Sequence, residues 1–245
     1  MRNVLTFLLL LFSLLCNGQS PKLFTTDKEL SSSLINQIYQ DRNGFIWIAT
    51  EDGLNRYDGA KFTIYKHEPN NEHSLAHNFV RTVFEDSKGH LLIGTYIGIQ
   101  MYDPATDKFT PLAKLEDTGE TLESNINSFI ERKNGEIWVS GNVLCKLDIK
   151  DHLLTVRKVD IAVTSPGSLF EDKKQNVWMA KGEEGVYQLT PDNQLTLHLS
   201  KDNGYVKSIC EDQRGNIYVG SIRKGLFIYD KERKTFVPVD LKEKG

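Results

Sequence analysis

The chain has 245 residues and a formal net charge of −3, its 30 basic and 33 acidic residues interspersed along the sequence. With no basic excess or stripe it lacks the electrostatic footprint of a nucleic-acid-binding protein, and nucleic acid is excluded as a partner. A hydrophobic fraction of 39% and an aromatic fraction of 10% supply a core and exclude a disordered chain.

In chain order, Arg2 precedes the apolar run Val4 to Leu15 and then Cys16-Asn17-Gly18. This pattern predicts a secretory signal peptide over residues 1–18, cleaved after Gly18. The run is short for a membrane span, and Leu15 stands before Cys16 where a lipoprotein signal would carry a small residue. No later stretch is apolar enough to cross a bilayer, so the mature chain is expected to be exported without a span. Leu23 to Thr25 reads as a short additional strand.

From Leu34 onward one pattern recurs five times, centred on Trp47, Leu92, Trp138, Trp178 and Tyr218 at spacings of 45, 46, 40 and 40 residues. Self-similarity at that period marks an array of small supersecondary units. Each copy divides into four short alternating or β-branched runs bounded by turn formers, in the first Leu34 to Tyr39, Phe45 to Ala49, Leu54 to Tyr57 and Phe62 to Tyr65. That is a strand signal. The spacing Asp41-x-x-Gly44 explains the first turn, because an Asp carboxylate accepts a backbone N–H two residues on and Gly tolerates positive φ. Two copies are degenerate: Arg132 replaces the Asp in the third, and Gln175 the Gly in the fourth.

A lone four-stranded sheet cannot bury both faces, whereas radially stacked sheets can. The chain is therefore expected to be all-β, an array of five four-stranded antiparallel propeller blades at about 34–66, 79–112, 126–159, 166–199 and 205–239. The five repeated central residues then pack between blades. The fifth blade has its own fourth strand, Thr235 to Val239, so the strand at Leu23 to Thr25 has no vacancy in a five-blade ring. An incomplete propeller is expected.

The run from Asp41 through Trp47 to Asp58 closely resembles the repeat of two-component regulator propellers, found in the N-terminal periplasmic sensor regions of Bacteroidetes hybrid two-component histidine kinases. The connector Glu68 to Asn78 resembles that family's link between its first two blades. The resemblance covers about Leu34 to Val239. It implies a periplasmic sensing module that recognises a carbohydrate, with an oligosaccharide ligand, downstream sensor-kinase domains as partners, and the homodimer expected of such kinases. No kinase core or nucleotide loop lies in this sequence, so no catalytic residues and no cofactor are expected. A secreted propeller lyase or glycosidase, and a structural or protein-interaction propeller, are the alternatives.

His67, His73 and His77 lie close together, but Pro69 and the Asn run argue against a helix that would align them, and no metal site is assigned. The recurrent carboxylates sit at turns, which leaves glycoside hydrolysis without a designated pair. In an up-down blade the loops between strands two and three, and the connectors between blades, emerge together at one end. That end carries side chains that differ between copies: Asn78, Tyr96, Asn142, Lys181, Arg223 and Lys224 are the candidate ligand-binding residues. Cys145 and Cys210 fall in different blades, too far apart for a bridge, and both are expected to be buried free thiols.

Overall fold

The structure is a computed structural model that describes residues 23–26, 29–199 and 204–240; the expected signal peptide lies outside these residues. All regular structure among them is strand, and no helix long and apolar enough to cross a membrane is present. The first blade comprises β1 (Ile35–Gln40), β2 (Ile46–Thr50), β3 (Gly53–Tyr57) and β4 (Phe62–Tyr65), and the second β5 (Val80–Glu85), β6 (Leu91–Thr95), β7 (Ile99–Asp103) and β8 (Lys108–Phe109). A short strand β9 (Lys114–Leu115) precedes the third blade, β10 (Ser128–Glu131), β11 (Ile137–Ser140), β12 (Leu144–Lys150) and β13 (Leu153–Lys158). The fourth holds β14 (Leu169–Glu171), β15 (Val177–Lys181), β16 (Gly185–Leu189) and β17 (Leu195–Leu199), and the fifth β18 (Val206–Glu211), β19 (Ile217–Ser221), β20 (Gly225–Asp230) and β21 (Thr235–Pro238). Each blade is an antiparallel meander in sequence order. The addition is β9, which pairs in parallel with the outer strand β13, Thr155 opposite Lys114 and Val156 opposite Leu115.

The Asp turns do more than reverse the chain. In the first blade the Asn43 and Phe45 N–H groups donate to one Asp41 oxygen at 3.0 and 2.9 Å, and the Trp47 indole N–H donates to the other at 2.8 Å. Asp172 repeats this with Lys174, Asn176 and Trp178. One carboxylate thus fixes the turn and sets the rotamer of the blade's central aromatic. Where the third blade has Arg132 instead, Glu136 accepts the Trp138 indole N–H at 3.0 Å and the Arg132 guanidinium lies 4.5 Å from that ring.

Four core clusters fill four blade-to-blade interfaces. Trp47, Ala49 and Leu54 pack against Val83, Ile93 and Tyr102 of the second blade; Leu92 and Met101 meet Phe129 and Val139; Trp138 and Leu144 meet Leu169 and Met179; Trp178 and Val186 meet Ile209 and Phe227. Contacts between strands run in the same order, and none of comparable extent joins the first blade to the fifth among the described residues. The two outer faces show it directly. Ile38 is 62% exposed whereas Val83, at the same place in the next repeat, is 1% exposed. Tyr218 and Ile228 of the fifth blade are half-buried, while Trp47 and Trp178 are fully enclosed. The array is consistent with an incomplete propeller.

Two expectations are corrected here. Leu23 to Thr25 forms no strand: Phe24 instead packs its ring against Tyr57 and Phe62, at centroid distances of 5.2 and 5.0 Å, on the outer face of the first blade. Ser31 donates its N–H to Asn55 Oδ1 beside it at 2.9 Å, so this segment partly covers a sheet face rather than extending a sheet edge. Cys145 is a buried free thiol, but Cys210 is exposed, because it lies opposite Tyr218 on the uncovered face of the fifth blade.

Candidate functional site

The loops between second and third strands carry Tyr96, Asn142, Arg223 and Lys224, Lys181 ends β15 at the same end, and the first connector carries Asn78. Tyr96 is 53% exposed, its ring 5.5 Å from that of His77. Arg223 and Lys224 are exposed at the β19–β20 turn. Asn142 is exposed but tied through its backbone, its N–H donating to Ser124 Oγ and its carbonyl accepting from Ser165. The remaining two side chains are engaged in the scaffold. Asn78 donates to Asp52 at 3.0 Å and accepts from the His67 N–H at 2.7 Å, and Lys181 pairs with Glu184 at 2.8 Å and donates to Thr164. Of the six, only Asn142 borders one of the molecule's principal cavities, a peripheral one.

The histidines of the first connector are engaged with backbone. His67 Nδ1 meets the Leu75 carbonyl at 2.9 Å, His73 Nδ1 meets the Phe109 carbonyl at 3.2 Å, and His77 Nδ1 accepts the Phe79 N–H at 2.9 Å. His73 thereby ties the connector to the second blade, while His67 and His77 hold the connector's own path.

A cavity of about 950 Å³ lies where the first strands of all five blades converge. Asn36 and Gln37 from β1, Arg81 and Thr82 from β5, Asn127 and Ser128 from the third blade, Gly167 and Ser168 from the fourth, and Lys207 and Ser208 from β18 line it. These are equivalent positions of the repeat. In β1, β5 and β18 the register with the neighbouring strand slips at Asn36, Arg81 and Lys207 respectively. A β-bulge of this kind leaves one residue out of the ladder and re-aims its side chain, and across the five blades this position holds an amide, a guanidinium, a second amide, no side chain and an ammonium group. The mouth is bounded by Gly182, Tyr205, Ser221 and Ile222, beside Lys181 and Arg223 of the predicted end. The Tyr205 ring, 47% exposed, lies over Gly182, where an added Cβ would sit 2.9 Å from it.

Several of these polar side chains also stitch blades together. Asn36 donates to the Val80 carbonyl at 2.7 Å, Gln37 accepts the Val83 N–H at 2.7 Å, and Asn127 donates to the Pro166 carbonyl at 3.2 Å. Sequence reading missed Arg81, Lys207 and Tyr205 as candidates because first strands were read only for apolar alternation. The available signal was the position after Ile35, Val80, Ile126, Pro166 and Val206, occupied by Asn, Arg, Asn, Gly and Lys in turn.

Three segments, residues 29–52, 74–96 and 200–223, match the family described as two component regulator propeller. Histidine kinase P4 of Formosa agariphila is 39% identical over 83 residues, 31% of this chain and 6% of that protein. The extracellular domain of a hybrid two component system from B. thetaiotaomicron superposes with a TM-score of 0.72 at 18% identity, covering 90% of this chain and 33% of that one. Virginiamycin B lyase from Staphylococcus aureus superposes with a TM-score of 0.65 at 12% identity, over 92% of this chain and 74% of that one. The chain thus spans a third or less of the sensor proteins it matches. It carries two component regulator propeller repeats on a propeller fold that sensor domains and a lyase share.

Proposed function

We propose that this chain is the periplasmic ligand-sensing propeller module of a two-component sensor, that it recognises a carbohydrate, and that it performs no chemistry on it. The observation that carries this reading is the concave surface at the blade axis, where equivalent positions of a repeat known from sensors present amide, hydroxyl and cationic groups that differ from blade to blade. Small-ligand sites are concavities with a few placed polar groups, and exposed rings at Tyr96 and Tyr205 suit the apolar face of a sugar. The candidate residues Tyr96, Asn142, Arg223 and Lys224 lie outside the lining of this cavity, and in this reading they are outer contacts for a longer saccharide. Asn78 and Lys181 brace the same end of the blades through the contacts they already make. The recurrent carboxylates have scaffold work: Asp41, Asp86, Asp172 and Asp212 hold turns, while Glu85, Glu131, Glu171 and Glu211 accept N–H groups from the preceding blade.

The shared fold of virginiamycin B lyase keeps an enzymatic reading in play, and one experiment separates the two. The intact protein is titrated calorimetrically with a panel of neutral and acidic oligosaccharides, and each mixture is then analysed by mass spectrometry. Saturable binding of at least one member with every saccharide recovered intact is the expected result. Conversion of a bound saccharide would replace this reading with the enzymatic one, and no binding across the panel would contradict it.

A further inference from the structure

We propose that the axial cavity is a carboxylate-selective subsite for a sugar acid, with Arg81 as its principal anchor and Lys207 as its second positive charge; this deepens the carbohydrate reading and rests on it. The cavity lining holds two cations and neither Asp nor Glu, in a chain whose net charge is −3. Other cations near the blade interfaces are neutralised: Arg42 pairs with Glu85, Arg132 with Glu171, and Lys181 with Glu184. Arg81 and Lys207 form no ion pair among the described residues.

Arg81 is also incompletely satisfied. Its Nε is buried without a hydrogen-bond partner, and the guanidinium is held 5.2 Å from the Phe79 ring. A buried donor without a partner is costly, and a guanidinium fork matches a carboxylate with two parallel bonds. The bulge at Arg81 recurs in register at Lys207, which sends both cations out of their ladders into one cavity. Around them, Ser168, Ser208 and Gln37 supply hydroxyl and amide groups, and the Tyr205 ring stands at the mouth. A carboxylate alone would use only the cations. A hydroxylated ring carrying a carboxylate uses the whole lining, and a volume of about 950 Å³ accommodates it.

The test is calorimetric titration of the intact protein with D-glucuronate and D-galacturonate, beside D-glucose, D-galactose and acetate, repeated with Arg81→Gln and Lys207→Gln. Loss of a charge-assisted hydrogen bond corresponds to a change of about tenfold in affinity. At least one hexuronate is expected to bind more tightly than its neutral hexose and than acetate by about that factor, and Arg81→Gln is expected to erase the preference. Lys207→Gln, on an exposed side chain, is expected to reduce the preference with the melting temperature unchanged, so the proposal stays testable if Arg81→Gln perturbs folding. Equal affinity for hexuronate and hexose, binding of neither hexuronate, or a preference that survives both substitutions would overturn the subsite. Neutral saccharide binding with no preference for either hexuronate would overturn it too, while leaving carbohydrate sensing standing.

Discussion

At the residue scale, stability is concentrated in a few carboxylates that each do two jobs. Asp41 is nearly buried and accepts two backbone N–H groups and an indole N–H, so Asp41→Ala strands three donors and is expected to cost about 2–3 kcal/mol in chemical denaturation. Gly44 has φ +88° with open space where a Cβ would stand, and Gln175 already adopts φ +68° at the same place in the fourth blade. Gly44→Ala should therefore cost less, about 1–2 kcal/mol. A larger loss for Gly44→Ala than for Asp41→Ala would show that backbone strain, not the carboxylate, holds the turn. Glu136 gives a pH signature. Partial burial raises its pKa, but hydrogen bonds from Lys146 and Trp138 outweigh this and bring it to about 2, below the ordinary 4.5. A carboxylate with a depressed folded pKa stabilises the protein above its unfolded pKa, and that contribution is lost as pH falls toward the folded one. The stability difference between wild type and Glu136→Gln is expected to shrink as pH is lowered from about 4.5 to about 2; a difference constant across that window would refute the assignment.

At the element scale, each blade borrows a face from its neighbour, and a glutamate fastens the join. The last residue of the first strand in blades two to five, Glu85, Glu131, Glu171 and Glu211, accepts the N–H of Arg42, Ser87, Lys133 and Lys173 in the first turn of the preceding blade, at 2.8, 2.6, 2.7 and 3.2 Å. The first blade has Gln40 at that place, and its outer face meets Phe24 and Ser31 instead. Burial decides the behaviour of the thiols: it pushes the Cys145 pKa up to about 11, with Lys158 opposing weakly, whereas Cys210 is open to solvent. Native protein should therefore take up a maleimide at Cys210 at once and at Cys145 only on unfolding. Rapid native labelling of Cys145 would mean that the interface between the second and third blades opens.

At the scale of the whole molecule, the five blades present four interfaces, and among the described residues no blade covers the outer face of the first or of the fifth. Exposed apolar surface of this kind drives association. In sedimentation measurements the protein is expected to self-associate with concentration, and Ile38→Glu to reduce this without loss of stability. Val83→Glu, at the matching but enclosed position, is expected to unfold the protein, since it buries an unpaired charge. Equal tolerance of both would contradict the uncovered face. The period, the alternation and the Asp and Gly turns made the blade pattern legible in the sequence, because each repeat states the same local physics. Less was legible where tertiary context decides: the exposure of Cys210 depends on which neighbour is absent, Leu23 to Thr25 has a strand's composition but no edge to join, and the bulges that turn Arg81 and Lys207 toward the axis are a matter of register.

In the proposed reading, ligand meets the concave axial surface at one end of the blades, while the Asp turns at the other end are scaffold. Hydrogen–deuterium exchange of the intact protein, with and without a saccharide found to bind, tests it most directly. Ligand-dependent protection is expected in β1, β5, β18 and the loops around Tyr96 and Arg223, with the turns at Asp41, Asp86, Asp172 and Asp212 unchanged. Protection confined to those Asp turns, or to the outer strands β4, β8, β13, β17 and β21, would contradict it.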